Sequence, residues 1–156
     1  MVILRDGEIE ELVAKGQLIS SSYRKENLTP NGYDLTINSV RVDGEESGRE
    51  EAAVGPHSVF WVSTSETISM PENIGGKIWI RSSYARKGIF GSFGFVDAGF
   101  RGTLTLAFFN GSSKEVNISR GNTIAQITFL RMDGNAELAY EKRSGNYQGQ
   151  TDIKLK

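Results

Sequence analysis

The chain has no cysteine. That excludes disulfides, thiolate metal sites and a cysteine nucleophile together, and it suits a reducing cytoplasm. Histidine is nearly as scarce. His57 is the only one and follows Gly55-Pro56 in a turn sequence. A zinc site of His and Cys therefore lacks its ligands. The zinc-deaminase signature of His-x-Glu and Cys-x-x-Cys has nowhere to occur, and nothing around His57 supports a Ser-His-Asp triad. Walker and dinucleotide-binding glycine patterns are missing. No apolar run approaches the roughly 20 residues that cross a bilayer, and the first residues (MVILRDGEIEELV) carry charge too early for a signal peptide. Lys and Arg number 18 against 19 Asp and Glu, a net charge of −1 with no basic run. Nucleic-acid binding needs a clustered positive field and is not expected. The expectation is a cytoplasmic protein with neither nucleic acid nor membrane as partner. A small anionic ligand needs only a few well-aimed cations.

What the chain does have is glycine, 18 residues of it, between short apolar runs. Residues 5–16 predict a short amphipathic helix, with Ile9, Leu12 and Val13 on one face and Gly16 to end it. After that, runs of strand length alternate with turn residues: Tyr33–Ile37, Ser58–Val62, Lys77–Ile80, Leu104–Phe109, Lys114–Ile118 and Thr123–Leu130. Regular short strands favour an all-β sandwich or barrel in a single domain over residues 1–156. Segment 43–56 is polar and acidic and reads as an exposed loop or hairpin tip. Residues 141–156 lack apolar periodicity and read as a mobile tail able to order over a ligand.

Two segments concentrate chemistry. In Arg81-Ser82-Ser83-Tyr84-Ala85-Arg86-Lys87, guanidinium forks, hydroxyls and turn amides directly follow an apolar strand, a set suited to gripping a polyphosphate. The same residues also fit a solvated basic turn. In Val96-Asp97-Ala98-Gly99-Phe100-Arg101-Gly102, a turn presents Asp97 and Phe100 together. The carboxylate could orient a water as general base and the ring could stack on a sugar; an ordinary turn aspartate beside a core phenylalanine fits equally. Pro30-Asn31-Gly32-Tyr33-Asp34-Leu35 and Gly121 through Phe129, with Gln126 amid apolar neighbours, say little alone.

Taken in order, these four segments, with Gly145-Asn146-Tyr147-Gln148-Gly149-Gln150 as a fifth, resemble the superfamily of trimeric dUTPases and dCTP deaminases, most closely its archaeal dUTPase-like branch. The likeness spans residues 30–150. It implies a distorted jelly-roll subunit with a short N-terminal helix, assembled as a homotrimer with active sites at subunit boundaries. It also implies that the base is read by hairpin backbone near Ser92, Phe93 and Thr105. Arg81, Ser82, Ser83 and Arg86 match triphosphate-binding positions, with Gln126 near the phosphates and Tyr147 and Gln150 on the closing tail. Asp97 matches the water-activating aspartate, and Phe100 the aromatic that packs on deoxyribose. No side chain is implied as a direct metal ligand; Mg2+ is held by the triphosphate. Gly91 departs from the asparagine that many dUTPases carry, and Tyr140 matches a deaminase-branch tyrosine only loosely.

One position separates the branches. By resemblance, dCTP deaminases carry a glutamate ten residues beyond the shared aspartate, where it moves protons between the attacking water and the leaving amine. Here that position is Ala107, and a methyl group transfers no proton. The expectation drawn from this is hydrolysis of dUTP to dUMP and pyrophosphate. A dCTP deaminase, a bifunctional enzyme and a non-catalytic dNTP-binding regulator of the same fold stand as alternatives.

Overall fold

The computed structural model describes residues 1–156. Strand β1 (Val2–Ile3) leads into helix α1 (Asp6–Ala14), then β2 (Leu18–Ser21), a short 3-10 turn, β3 (Leu28–Thr29), β4 (Gly32–Val42) and β5 (Glu51–Val54). Next come β6 (Val59–Thr64), β7 (Thr67–Ser69), β8 (Ile74–Ile80), the single turn α2 (Ser82–Ala85), β9 (Ile89–Ser92) and β10 (Phe95–Val96). The chain finishes with β11 (Arg101–Gly102), β12 (Thr105–Asn110), β13 (Val116–Ser119), β14 (Thr123–Arg131) and the single turn α3 (Tyr140–Arg143). All pairings are antiparallel.

The main sheet runs β10-β8-β14-β4-β6-β12-β9, with β1 on β14 and β3 on β4; β11-β7-β2 and β13-β5 form two smaller sheets. Register breaks in β14 between Thr123 and Ala125, and where β4 meets β6 between Ile37 and Ser39, bend a sheet too long to stay flat. Alternation sets the two faces. Leu106, Phe108 and Asn110 of β12 are buried, while Thr105, Ala107 and Phe109 point the other way and are partly exposed. Inside, Phe60 stacks on Phe108 with ring centroids 5.2 Å apart, amid Tyr33, Leu35, Ile127 and Phe129.

The all-β jelly-roll expectation and the N-terminal helix hold, with Gly16 in the left-handed region (φ 74°) just past the helix end. Segment 43–56 is not simply a loop. Glu51–Val54 pairs with β13, and Ala52 and Val54 are buried in the core. Its alternation of two small apolar residues was too short to register against the acidic run before it.

One buried carboxyl group lies beside the β4 irregularity. Glu66 is fully buried and accepts the Thr36 amide at both oxygens, at 3.1 and 3.0 Å, with the Tyr33 hydroxyl 3.5 Å away. Burial pushes the Glu66 carboxyl above its ordinary range, the hydrogen bonds from Thr36 opposing, and burial pushes the Tyr33 phenol up to about 12.

Candidate active site

A cleft of about 520 Å³ opens along the exposed face of β12. Trp61 of β6, Thr105 and Ala107 form its floor, and residues 92–95, between β9 and β10, form one wall. The ladder puts Trp61, Ala107 and Ser92 in one row across three strands. At the end of β10 the chain turns through Asp97–Phe100, closed by the Phe100 amide donating to the Asp97 carbonyl at 3.1 Å. The turn leaves Asp97 exposed at the cleft and Phe100 buried, edge-on to Tyr140 at 5.5 Å between centroids. Asp97 is the only carboxylate and Lys154 the only cation among the lining residues.

The hairpin has backbone to spare. Phe93 and Gly94 make no backbone hydrogen bond within the chain. Unpaired N–H and C=O groups beside a slot of this size are what reading a planar base edge requires. The departure at Gly91 has a local cause. The Phe93 ring folds back over residue 91 and meets Phe108 edge-on at 5.2 Å, so a Cβ at 91 would collide with that ring.

The C-terminal segment roofs the cleft. Gly149 donates to the Arg101 carbonyl at 2.7 Å, and Gln150 both accepts from the Thr103 amide (2.9 Å) and donates to the Thr103 carbonyl (2.6 Å). This approach needs Gly102: its φ of 142° is outside the range L side chains favour, and a Cβ there would sit 3.0 Å from Gln150 backbone. The segment read as a mobile tail thus has a defined set of contacts in its own subunit. Tyr147 and Gln150 line the cleft, as do Ser92, Phe93, Phe100 and Thr105.

The remaining expected residues gather elsewhere. Arg81 pairs with Asp34 at 2.9 Å and bonds to the Thr123 hydroxyl and carbonyl. Gln126 donates to Asp34 at 3.3 Å and to the Thr29 hydroxyl at 3.2 Å. Ser82, Ser83 and Arg86 are exposed on α2, anchored by buried Tyr84. None of Arg81, Ser82, Ser83, Arg86 and Gln126 lines the Asp97 cleft. One chain therefore carries two separate polar groups: the Asp97 cleft, and a guanidinium–hydroxyl group where β8, β14 and β4 lie side by side. Sequence reasoning passed over Trp61 and Lys154. A lone tryptophan in an alternating strand reads as core, and a lysine in a polar tail as solvated.

No group of three or more His, Asp or Glu is placed to hold a metal ion, and no helix is long and apolar enough to cross a membrane.

Comparisons with known proteins bear on the branch. A family model described as dCTP deaminase-like matches residues 39–132. The chain is 37% identical over 145 residues to a protein of Thermococcus kodakarensis named dCTP deaminase, covering 89% of this chain and 90% of that one. An Aquifex aeolicus protein named dCTP deaminase, dUMP-forming, is 31% identical over 97% of this chain and 92% of its own length. Among solved structures, the 2'-deoxycytidine 5'-triphosphate deaminase of Agrobacterium tumefaciens superposes with a TM-score of 0.72 at 22% identity. That match covers 84% of this chain but only 49% of the other. The EIAV dUTPase superposes at 0.55 and 20% identity, over 81% of this chain and 93% of that one, so the fold is common to both branches.

These relatives overturn the expectation of dUTP hydrolysis as the main reading. That expectation weighed one missing side chain, Ala107, above the pattern of the whole chain, and the whole chain matches proteins named for dCTP deamination. Ala107 remains a real departure at the cleft floor. A match that covers nine-tenths of both chains, together with the family model, settles the family: this chain is a member of the dCTP deaminase-like family.

Proposed function

We propose that the chain binds dCTP in the Asp97 cleft and releases its 4-amino group as ammonia, leaving dUTP. The observation that carries this reading is a single exposed carboxylate at one end of a base-sized slot whose edge is unpaired hairpin backbone. Water adds to C4 of cytosine while Asp97 accepts its proton. The C4–N4 bond then breaks as that proton passes to the departing amine, and the second water proton ends on N3 as the C4 carbonyl forms. With Ala107 in the floor, Asp97 serves both stages, which sets a low ceiling on turnover. The nucleotide enters as its magnesium complex, the ion riding on the phosphates. Phe100, whose buried ring forms the cleft end, limits the room at the sugar.

The phosphates need more cations than this cleft holds. We infer a homotrimer in which Arg81, Ser82, Ser83 and Arg86 of a neighbouring copy, with its Gln126, complete the site. Arg86 has no ion-pair partner within its own chain.

Ala107 itself favours a second reading, a module that binds deoxynucleoside triphosphate without turning it over. Incubating purified protein with dCTP and magnesium, while following ammonia and bound nucleotide separately, decides between them. Ammonia formed in step with dCTP loss, and reduced about 10²-fold or more in Asp97→Asn at unchanged affinity, supports deamination. Binding with no ammonia supports the module.

A further inference from the structure

The C-terminal strap is pinned to the cleft's rim at successive points, and one of its side chains is the cleft's only cation. Ser39, Ser63 and Thr105 form one row across β4, β6 and β12. Asp152 accepts from the Ser39 hydroxyl at 2.6 Å and the Ser63 hydroxyl at 2.9 Å through one oxygen, and from its neighbour's amide, Ile153, at 2.8 Å. Two residues on, the Lys154 amide donates to the Thr105 hydroxyl at 3.0 Å. Ser63 is fully buried and Ser39 nearly so, hence this row is a rigid anchor. Burial alone would raise the Asp152 carboxyl, but the Ser39, Ile153 and Ser63 hydrogen bonds outweigh it and hold the group below its ordinary range.

The Lys154 ammonium is thereby placed. Its Nζ donates to the Asn146 carbonyl at 2.8 Å and lies 5.7 Å from the centre of the Tyr147 ring, leaving further N–H donors for a ligand. It lines the same cleft as Asp97, whereas Arg81 and Arg86 do not. A cation lining a slot that takes an anionic nucleotide gains most from facing the anion, since the N–H···O–P contact is charge-assisted at both ends.

We propose that Lys154 contacts the phosphate chain of the nucleotide bound in its own subunit's cleft, and that Asp152, clasped by Ser39 and Ser63, is the positioning residue that holds the strap there. This rests on the nucleotide-binding part of the reading above, not on turnover. It makes the cleft's own strap a second source of phosphate affinity, distinct from the guanidinium cluster.

The test compares binding of dCTP and of deoxycytidine, which lacks phosphates, by titration calorimetry on the full chain. Lys154→Met should weaken dCTP binding about 10-fold or more and leave deoxycytidine binding unchanged, with Lys154→Arg recovering most of the loss. Asp152→Ala should repeat that pattern more weakly, at unchanged melting temperature. Equal weakening of both ligands, or of neither, overturns the proposal. Binding of dCTP without ammonia release would sink the deaminase reading while leaving this comparison intact, whereas no dCTP binding by the unmodified protein would sink both.

Discussion

Ala107 lies between Trp61 and Ser92 on the floor of the cleft, facing the ligand space rather than the core. Its side chain is partly exposed on the open cleft, so the position can accept a longer side chain without breaking the core packing. Replacing it with glutamate would put a second carboxylate across the slot from Asp97 and divide the proton work between two groups. Ala107→Glu is expected to raise ammonia release from dCTP about 10²-fold or more, the span a positioned acid–base group supplies. Steady-state ammonia assays check this; a folded variant no faster than its parent would mean that proton transfer does not limit the reaction. The Asp97–Phe100 turn is legible because glycine, carboxylate and aromatic lie within four positions. Trp61 is not, because only strand pairing brings it to Ala107.

At the scale of elements, β4 and its partners hold the cleft rim through one buried acid. Glu66 accepts the Thr36 amide at both carboxyl oxygens, just before the stretch where β4 and β6 fall out of register. Its folded carboxyl holds a proton more tightly than an exposed one, whose ordinary pKa is 4.5, chiefly because burial disfavours the charge. The native state therefore binds more protons than the unfolded chain between that ordinary value and the raised one. Stability from this group is fully present below the ordinary value and is lost as pH rises through the raised one. Against Glu66→Gln, which cannot ionise, the parent should lose relative stability as pH climbs from about 4 toward neutrality, by no more than about 1.4 kcal/mol per pH unit. Urea unfolding at several pH values measures the gap, and a pH-independent gap would remove Glu66 as its source. Strands β4, β6, β8, β12, β13 and β14 were readable from short apolar runs. β1, β2, β3, β5, β7, β9 and β11, each two to four residues long, were not, because so short a segment carries no periodicity of its own.

The whole molecule divides its polar chemistry between two places, and the proposed trimer brings them together across subunit boundaries. Mixing supplies the check. Asp97→Asn removes the cleft carboxylate and Arg86→Ala an exposed guanidinium, so each homotrimer should lose turnover. Co-refolded in equal amounts, random closed trimers place an intact cleft beside an intact Arg86 in about a quarter of sites. Recovery near that fraction of parent ammonia release is expected. Activity no greater than the sum of the two variants would place both groups in one chain's site.

The amino-acid order alone determined the all-β class and the N-terminal helix, because periodicity and turn chemistry are local, and the superfamily, because five short motifs keep their order along the chain. It did not decide which motifs share a cleft, that a lysine near the C-terminus stands over Asp97's slot, or that Gly91 exists to seat Phe93. Those follow from antiparallel pairing between strands far apart in sequence, whose register fixes which side chains face one another across space.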